Sequence, residues 1–401
     1  MLTRSKRIVF SLVTAVLALA FCFVILEYVV ARFYYSDIYY VSAMAPDSIT
    51  GWRLKPGVFP TKPPYSFRKH SIYVNDHGLR NRDIPVPKPD GTTRIVLLGD
   101  SYAFARGTRT EDIFPVRLEA LLNQSAADGK FEVVNAGIPQ FGTAQELLLM
   151  KSLAEEGVTG DLYVLMVFTN DILDNLRLDY HSLKELPLQP GFALDGAGRP
   201  VLVHRPERRR TKAPEDTDSS RKAHSRMRIL LVLRLRLESY LQTQPWLAKA
   251  ARKIGINVEW AVVPGIINGW YREEITREGI PLLRALVREI RDEARKNGSN
   301  LIVSMIPSEI QVYSGTFGPI LEGAFPDSAV VDRWLDDPDR PQRVVAEICS
   351  DLGIPFLDLL PVMRAESNKA LYIPREGHFN KRGHEVVARS LARFVRDHTP
   401  R

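Results

Sequence analysis

One stretch limits the possible folds more than any other: Arg94-Ile95-Val96-Leu97-Leu98-Gly99-Asp100-Ser101. Its apolar run does not alternate with polar residues, so both faces of the segment must be covered. That is the pattern of a strand inside a parallel sheet packed on either side by helices. Gly-Asp-Ser then reads as a sharp turn that presents a hydroxyl at the strand's carboxyl end, the edge where open α/β sheets bind ligands. Taken alone, the triplet is an ordinary turn in which Asp and Ser cap the next helix. It gains meaning only if the chain also supplies anion-stabilising donors and a base.

The segments that follow keep the same alternation. Helical spacing of Val116, Leu118, Leu121 and Leu122 predicts a helix over 114–123, and 131–134 reads as a second strand ending in Asn135-Ala136-Gly137. Residues 143–154 read as a helix with Thr143 as N-cap and Glu146 three positions on, a capping-box spacing. A third strand over 162–168 ends in Thr169-Asn170-Asp171. The pattern lapses over 176–265 and resumes with a helix over 272–296, a strand over 301–306, a helix over 341–352, a strand over 354–357 and a last helix over 381–396. Five strands alternating with helices predict an α/β fold, a three-layer α/β/α sandwich around a five-stranded parallel sheet. Within the insertion, 187–200 is rich in Pro and Gly, 204–228 is basic and polar, and 229–241 is an apolar segment read as a helix on its Leu and Arg content.

The net charge of +7 would suggest a nucleic-acid partner if it were spread over the fold. Instead residues 1–7 carry +3 from Arg4, Lys6 and Arg7, and 205–228 carry +5, so the remainder sums to −1. No nucleic-acid motif accompanies these patches. Residues 8–26 hold 19 positions without a charge, enough to cross a bilayer as a helix. Tyr28, Phe33, Tyr34, Tyr35, Tyr39 and Tyr40 suit the far interface, and Arg4, Lys6 and Arg7 the cytoplasmic side. The competing reading is a signal peptide cleaved near Ala20; because the apolar run continues past that point, we read a retained signal-anchor. Both readings place residues from about 45 onward outside the cytoplasm. The implied organisation is a basic tail and transmembrane helix (1–35), a Pro/Gly-rich lead-in (36–93) that packs on the domain edge, and a domain over 94–401 with the insertion at 176–265. Of the two cysteines, Cys22 falls in the apolar run and Cys349 reads as a core residue, so no disulfide is expected.

Acyl transfer through a serine requires a nucleophile, a base and donors for the tetrahedral oxyanion. Ser101 is the candidate nucleophile, and its own N–H one candidate donor. Gly137 would let a backbone N–H approach closely, and the Asn170 amide could supply a third donor. All three are expected at carboxyl ends of neighbouring strands. The base is sought in Glu376-Gly377-His378-Phe379-Asn380-Lys381-Arg382-Gly383-His384. His378 falls in the loop before the last helix, with Glu376 in reach of its Nδ1. His384 falls inside that helix, where packing is the ordinary role. A metal bound by both histidines is disfavoured, because positions i and i+6 do not share a helical face.

With these residues in place, the chain resembles the SGNH (GDSL-type) hydrolases over roughly 90–175 and 300–395, through Gly99-Asp100-Ser101, Gly137, Asn170 and His378. The resemblance implies a flavodoxin-like α/β/α fold, a Ser101–His378–acid triad, and an oxyanion hole from Ser101, Gly137 and Asn170. It implies no metal and no organic cofactor. Glu376 stands where the family usually has Asp. The expected activity is that of a membrane-anchored, extracytoplasmic serine esterase acting on short acyl esters of a glycan or similar polar acceptor. The alternatives are an O-acyltransferase with the same triad, a lipid-directed esterase, and a non-catalytic envelope scaffold. A reporter fused after Arg401 is expected to read as extracytoplasmic; a cytoplasmic signal would reject the orientation drawn from Arg4, Lys6 and Arg7.

Overall fold

In the computed structural model, residues 43–61, 70–124, 130–176, 189–206, 267, 269–324, 328–373 and 377–399 are described, with scattered positions between 10 and 25. The strands are β1 (Met44–Asp47), β2 (Gly51–Leu54), β3 (Gly57–Thr61), β4 (His70–Val74), β5 (Thr92–Gly99), β6 (Lys130–Gly137), β7 (Leu162–Val167), β8 (Gly191–Leu194), β9 (Pro200–His204), β10 (Asn300–Met305) and β11 (Phe356–Asp358). The helices are α1 (Ser101–Phe104), α2 (Phe114–Gln124), α3 (Thr143–Glu155), α4 (Asp171–Asp174), α5 (Glu273–Lys296), α6 (Glu309–Val312), α7 (Ser314–Ala324), α8 (Ala329–Asp336), α9 (Arg340–Leu352), α10 (Leu360–Ala365) and α11 (Lys381–His398).

Five strands form one sheet in the order β6-β5-β7-β10-β11, and every neighbouring pair is parallel. Numbered along the chain this is 2-1-3-4-5, the flavodoxin-like order, with its switch point beside β5. The unbroken apolar runs are explained by which way each residue faces. Val96, Leu98, Val134, Ala136, Leu165, Val167 and Met305 belong to one buried cluster, with α3, α5 and α9. Ile95, Leu97, Val133, Val164, Met166 and Ile302 belong to a second, with α2, α10 and α11. The period-2 pleat sends successive residues to opposite layers, and both layers are apolar. Where β5 and β6 begin, Arg94 and Glu132 stand directly opposite in register and form a buried ion pair of 2.6 Å.

The lead-in does more than rest on an edge. It forms two antiparallel pairs, β1–β2 and β3–β4, and its Trp52, Leu54, Ile72, Val74 and Leu79 join the same cluster as β5 and β6. Trp52 donates from Nε1 to the Pro139 carbonyl at 3.1 Å, and Gln145 Nε2 donates to the Thr50 carbonyl at 2.7 Å. The lead-in and the sheet thus share one apolar interior. His77, in the turn after β4, lies with Nδ1 2.7 Å from Glu156 Oε2.

Thr143 is not the N-cap of α3: Gly142 holds that position without a side-chain bond. The Thr143 hydroxyl donates instead to Asp171 Oδ2 at 3.1 Å, and the Ala144 N–H is satisfied by Asn175 Oδ1 at 2.9 Å. Tertiary partners have replaced the local cap. Of the 176–265 insertion, the described part is the β8–β9 hairpin, which leaves Leu194, Val201, Leu202 and Val203 exposed; the 229–241 segment lies outside the described residues. The expected transmembrane helix is not among the elements: no helix among the described residues is long and apolar enough to cross a membrane, and most of residues 8–30 lie outside them.

Trp52 is fully buried, so Trp52→Ala is expected to cost about 3–5 kcal/mol in urea unfolding. A loss under about 1 kcal/mol would show that the lead-in is not part of the core.

Candidate active site

Ser101 is the first residue of α1, directly after the turn that ends β5. Asp100 shapes this turn. Its Oδ1 accepts the Tyr102 N–H at 2.8 Å, capping a helix of a single turn. The end of α1 closes back on its start, with the Ala105 N–H donating to the Ser101 carbonyl at 3.0 Å. Ala105 is left-handed, at φ 61°. Arg80, from the lead-in, is buried and donates to the carbonyls of Phe104 (2.7 Å), Ala105 (2.8 Å) and Thr108 (2.7 Å). One guanidinium therefore satisfies the carbonyls that the short helix leaves over.

Gly137 ends β6, opposite Gly99 in the parallel register. A Cβ at Gly137 would stand 2.4 Å from the Phe104 nitrogen and 2.5 Å from Ala103 Cβ, and one at Gly99 would stand 2.8 Å from Ala103 Cβ. Both glycines are required because α1 lies directly on them. The Gly137 N–H already donates to Asn135 Oδ1 at 3.1 Å. The structure thus gives this residue a packing role that the sequence reading missed and commits the N–H proposed as an oxyanion donor. In the loop after Gly137, Gln140 adopts φ 64°, a region uncommon for residues other than glycine.

Asn170 follows β7 and precedes α4, without capping it through its side chain. Its Nδ2 donates to Asp174 Oδ2 at 2.6 Å. A carboxylate only accepts, so this contact fixes which end of the amide carries the NH₂ and leaves its second N–H for another acceptor. Ser101, Gly137 and Asn170 come from three adjacent parallel strands and lie at one edge of the sheet.

His378 reaches this edge from the loop before α11, and its Nε2 lies 2.8 Å from Ser101 Oγ, across 277 residues of sequence. His384 is elsewhere. It is buried in α11, its Nδ1 accepts the Phe114 N–H at 3.3 Å, and its ring stacks on Phe114 with centroids 5.7 Å apart. Burial, with Arg80 and His378 nearby, pushes its pKa down to about 3, so it is a neutral core residue. Glu376, the expected acid, lies outside the described residues.

Behind Ser101 sits a group of carboxyls that sequence reading did not identify. Burial pushes the Asp100 pKa up to about 7, against the N–H of Tyr102, which lowers it. Burial, with Asp171, Asp100 and Asp174 nearby, raises Glu146 well above the carboxylate range, and neither of its oxygens has a hydrogen-bond partner among the described residues. Asp171 is raised by burial and by Asp100 and Asp174. Among the described residues, no group of three or more His, Cys, Asp or Glu is arranged to hold a metal ion.

No protein-family model matches the chain, and no curated protein matches it. Solved structures do align. Axe2, an acetylxylan esterase from Geobacillus stearothermophilus, aligns at 13% identity over 76% of this chain and 94% of its own, with a TM-score of 0.35. LAE5, an α/β hydrolase enzyme from the metagenome of Lake Arreo, aligns at 11% identity over 76% and 94%, with a TM-score of 0.38. A protein described as lipolytic and of the G-D-S-L family, from Desulfitobacterium hafniense DCB-2, aligns at 12% identity over 75% and 99%, with a TM-score of 0.34. Likeness at this level establishes neither family nor activity.

Each raised carboxyl stays protonated in the fold while the unfolded chain has already ionised. Stability is therefore highest below the ordinary value, 3.8 for Asp100, and declines as pH climbs toward about 7. Glu146→Gln removes one such group. The variant is expected to melt higher than the parent at pH 8 and at the same temperature at pH 4, as checked by thermal denaturation at both.

Proposed function

We propose that the chain is a serine esterase of the SGNH type that cleaves short acyl esters through an acyl-enzyme on Ser101. The observation that carries this reading is the 2.8 Å contact between His378 Nε2 and Ser101 Oγ, at the carboxyl edge of the parallel sheet. His378 takes the hydroxyl proton as Oγ attacks the acyl carbon. The tetrahedral oxyanion forms against the Ser101 N–H and the free N–H of the Asn170 amide. His378 then returns the proton to the leaving alkoxide, and water repeats the sequence on the acyl-enzyme. Glu376 is assigned the acid that orients His378, on the strength of its position in the sequence. The Gly137 N–H is a third donor only if it leaves Asn135.

The substrate is assigned as a short acyl group, acetyl foremost, on a polar acceptor such as an envelope glycan. What supports this reading is the insertion, whose residues 204–228 are dominated by Arg, Lys, Asp and Ser and suit water or an anionic surface better than a long acyl chain. The membrane anchor and extracytoplasmic location proposed with it rest on residues 1–40 of the sequence.

Ser101→Ala is expected to abolish ester turnover, with His378→Ala nearly as damaging, because members of one catalytic unit fail together. Asn170→Ala is expected to lower kcat by ~10²–10³ with little change in KM. Turnover of esters of one alcohol should fall steeply from acetyl to octanoyl. A rate that rises with chain length would point to a lipid substrate; acyl transfer to an added glycan with slow hydrolysis would point to a transferase. Full turnover by Ser101→Ala would reject the esterase.

A further inference from the structure

We propose that Tyr102 is a positioning residue that sets the distance between nucleophile and base. The inference rests on the Ser101–His378 reading above and adds a residue to it. Tyr102 directly follows Ser101 in α1, so its backbone moves with the nucleophile. That backbone is held at both ends, by Asp100 at the start and Arg80 at the finish. The Tyr102 side chain is buried and crosses to the other half of the site. Its hydroxyl donates to the Gly377 carbonyl at 2.5 Å, 275 residues away in sequence and next to His378. Its ring lies 4.9 Å from the His378 imidazole, at 33°, and is packed by Phe168 at 4.3 Å and Phe379 at 4.8 Å.

Among the described residues, the base-bearing loop is also held by bonds within it and by bonds at its base. The Ile373 N–H donates to the His378 carbonyl at 2.7 Å and the Gly377 N–H to the Ile373 carbonyl at 3.3 Å, both within the loop. Tyr372 bridges to Phe379 and donates from its hydroxyl to Pro307 at 2.8 Å, which anchors the loop's base to the region after β10. The Thr108 hydroxyl reaches the Phe379 carbonyl at 3.4 Å, a longer contact from beyond α1. Tyr102 bonds the residue adjacent to the base and covers the base's ring from the residue adjacent to the nucleophile. A proton transfer over one hydrogen bond tolerates little drift, and a misplacement of about 1 Å can cost on the order of 10²-fold.

The test is the second-order rate at which a fluorophosphonate labels Ser101, a reaction that needs nucleophile and base whatever the natural ester. Tyr102→Phe keeps the ring and deletes the bond to Gly377; it is expected to slow labelling about tenfold, part of the ~10²–10⁴ that a general base contributes. Tyr102→Leu also removes the ring and should slow it further. Because Tyr102 acts through His378, Tyr102→Phe placed in a His378→Ala background should leave the residual rate unchanged. A purely structural role would lower the rate in both backgrounds. The inference is overturned if Tyr102→Phe slows labelling less than twofold, or if it lowers the residual rate of His378→Ala by the same factor as the parent's. If the parent is not labelled, or if His378→Ala is labelled at the parent's rate, the esterase reading itself fails and this inference with it.

Discussion

The site depends on how closely α1 lies on the ends of two strands. Gly99 and Gly137 face each other in register, and a Cβ on either would collide with Ala103 or the Phe104 backbone. That approach seats a one-turn helix on the sheet edge instead of beyond it. The nucleophile's half of the site takes its position from that seat. Ser101 opens the helix, Asp100 caps it, and Arg80 gathers the carbonyls at its other end. Asn170 comes to the same edge from the next strand. A larger residue at either glycine would lift the helix and move the hydroxyl away from His378.

The buried carboxyls stand in contrast to this close fit. Asp100 earns its burial by accepting the Tyr102 N–H, and Asp171 accepts the Thr143 hydroxyl. Glu146 has no such partner among the described residues. Buried polar groups without partners are uncommon and costly in native proteins, more so when charged. Protonation is the physical escape open to Glu146, and its raised pKa reflects that. The acidic floor of the site is therefore a neutral one over much of the acid range.

Much of the sheet was legible in the sequence because buried parallel strands leave an unambiguous mark. All five predicted strands overlap observed ones, and the helices over 272–296, 341–352 and 381–396 were placed within a few residues. The lead-in was harder to read, because its core residues Trp52, Ile72, Val74 and Leu79 appear singly among turns. Helices α1, α4, α6, α7, α8 and α10 were missed; α7 contains Gly315, Gly318 and Pro319, which propensity argues against. Thr143 and Glu146 carried a capping-box spacing that tertiary bonds overrode. Ser101 and His378 were findable because each follows a recognisable local pattern. Arg80 and Tyr102 were not, since a bond spanning 24 or 275 residues has no local signature.

The separation of Ser101 and His378 along the chain also has a consequence in time. A ribosome delivers the serine early and its partner histidine 277 residues later. At roughly 5–20 residues per second, the nascent chain carries an unpaired serine for on the order of tens of seconds. During that interval the hydroxyl is no more reactive than any other serine. The proposed chemistry therefore waits until the loop that carries His378 has been made and has folded against Ser101.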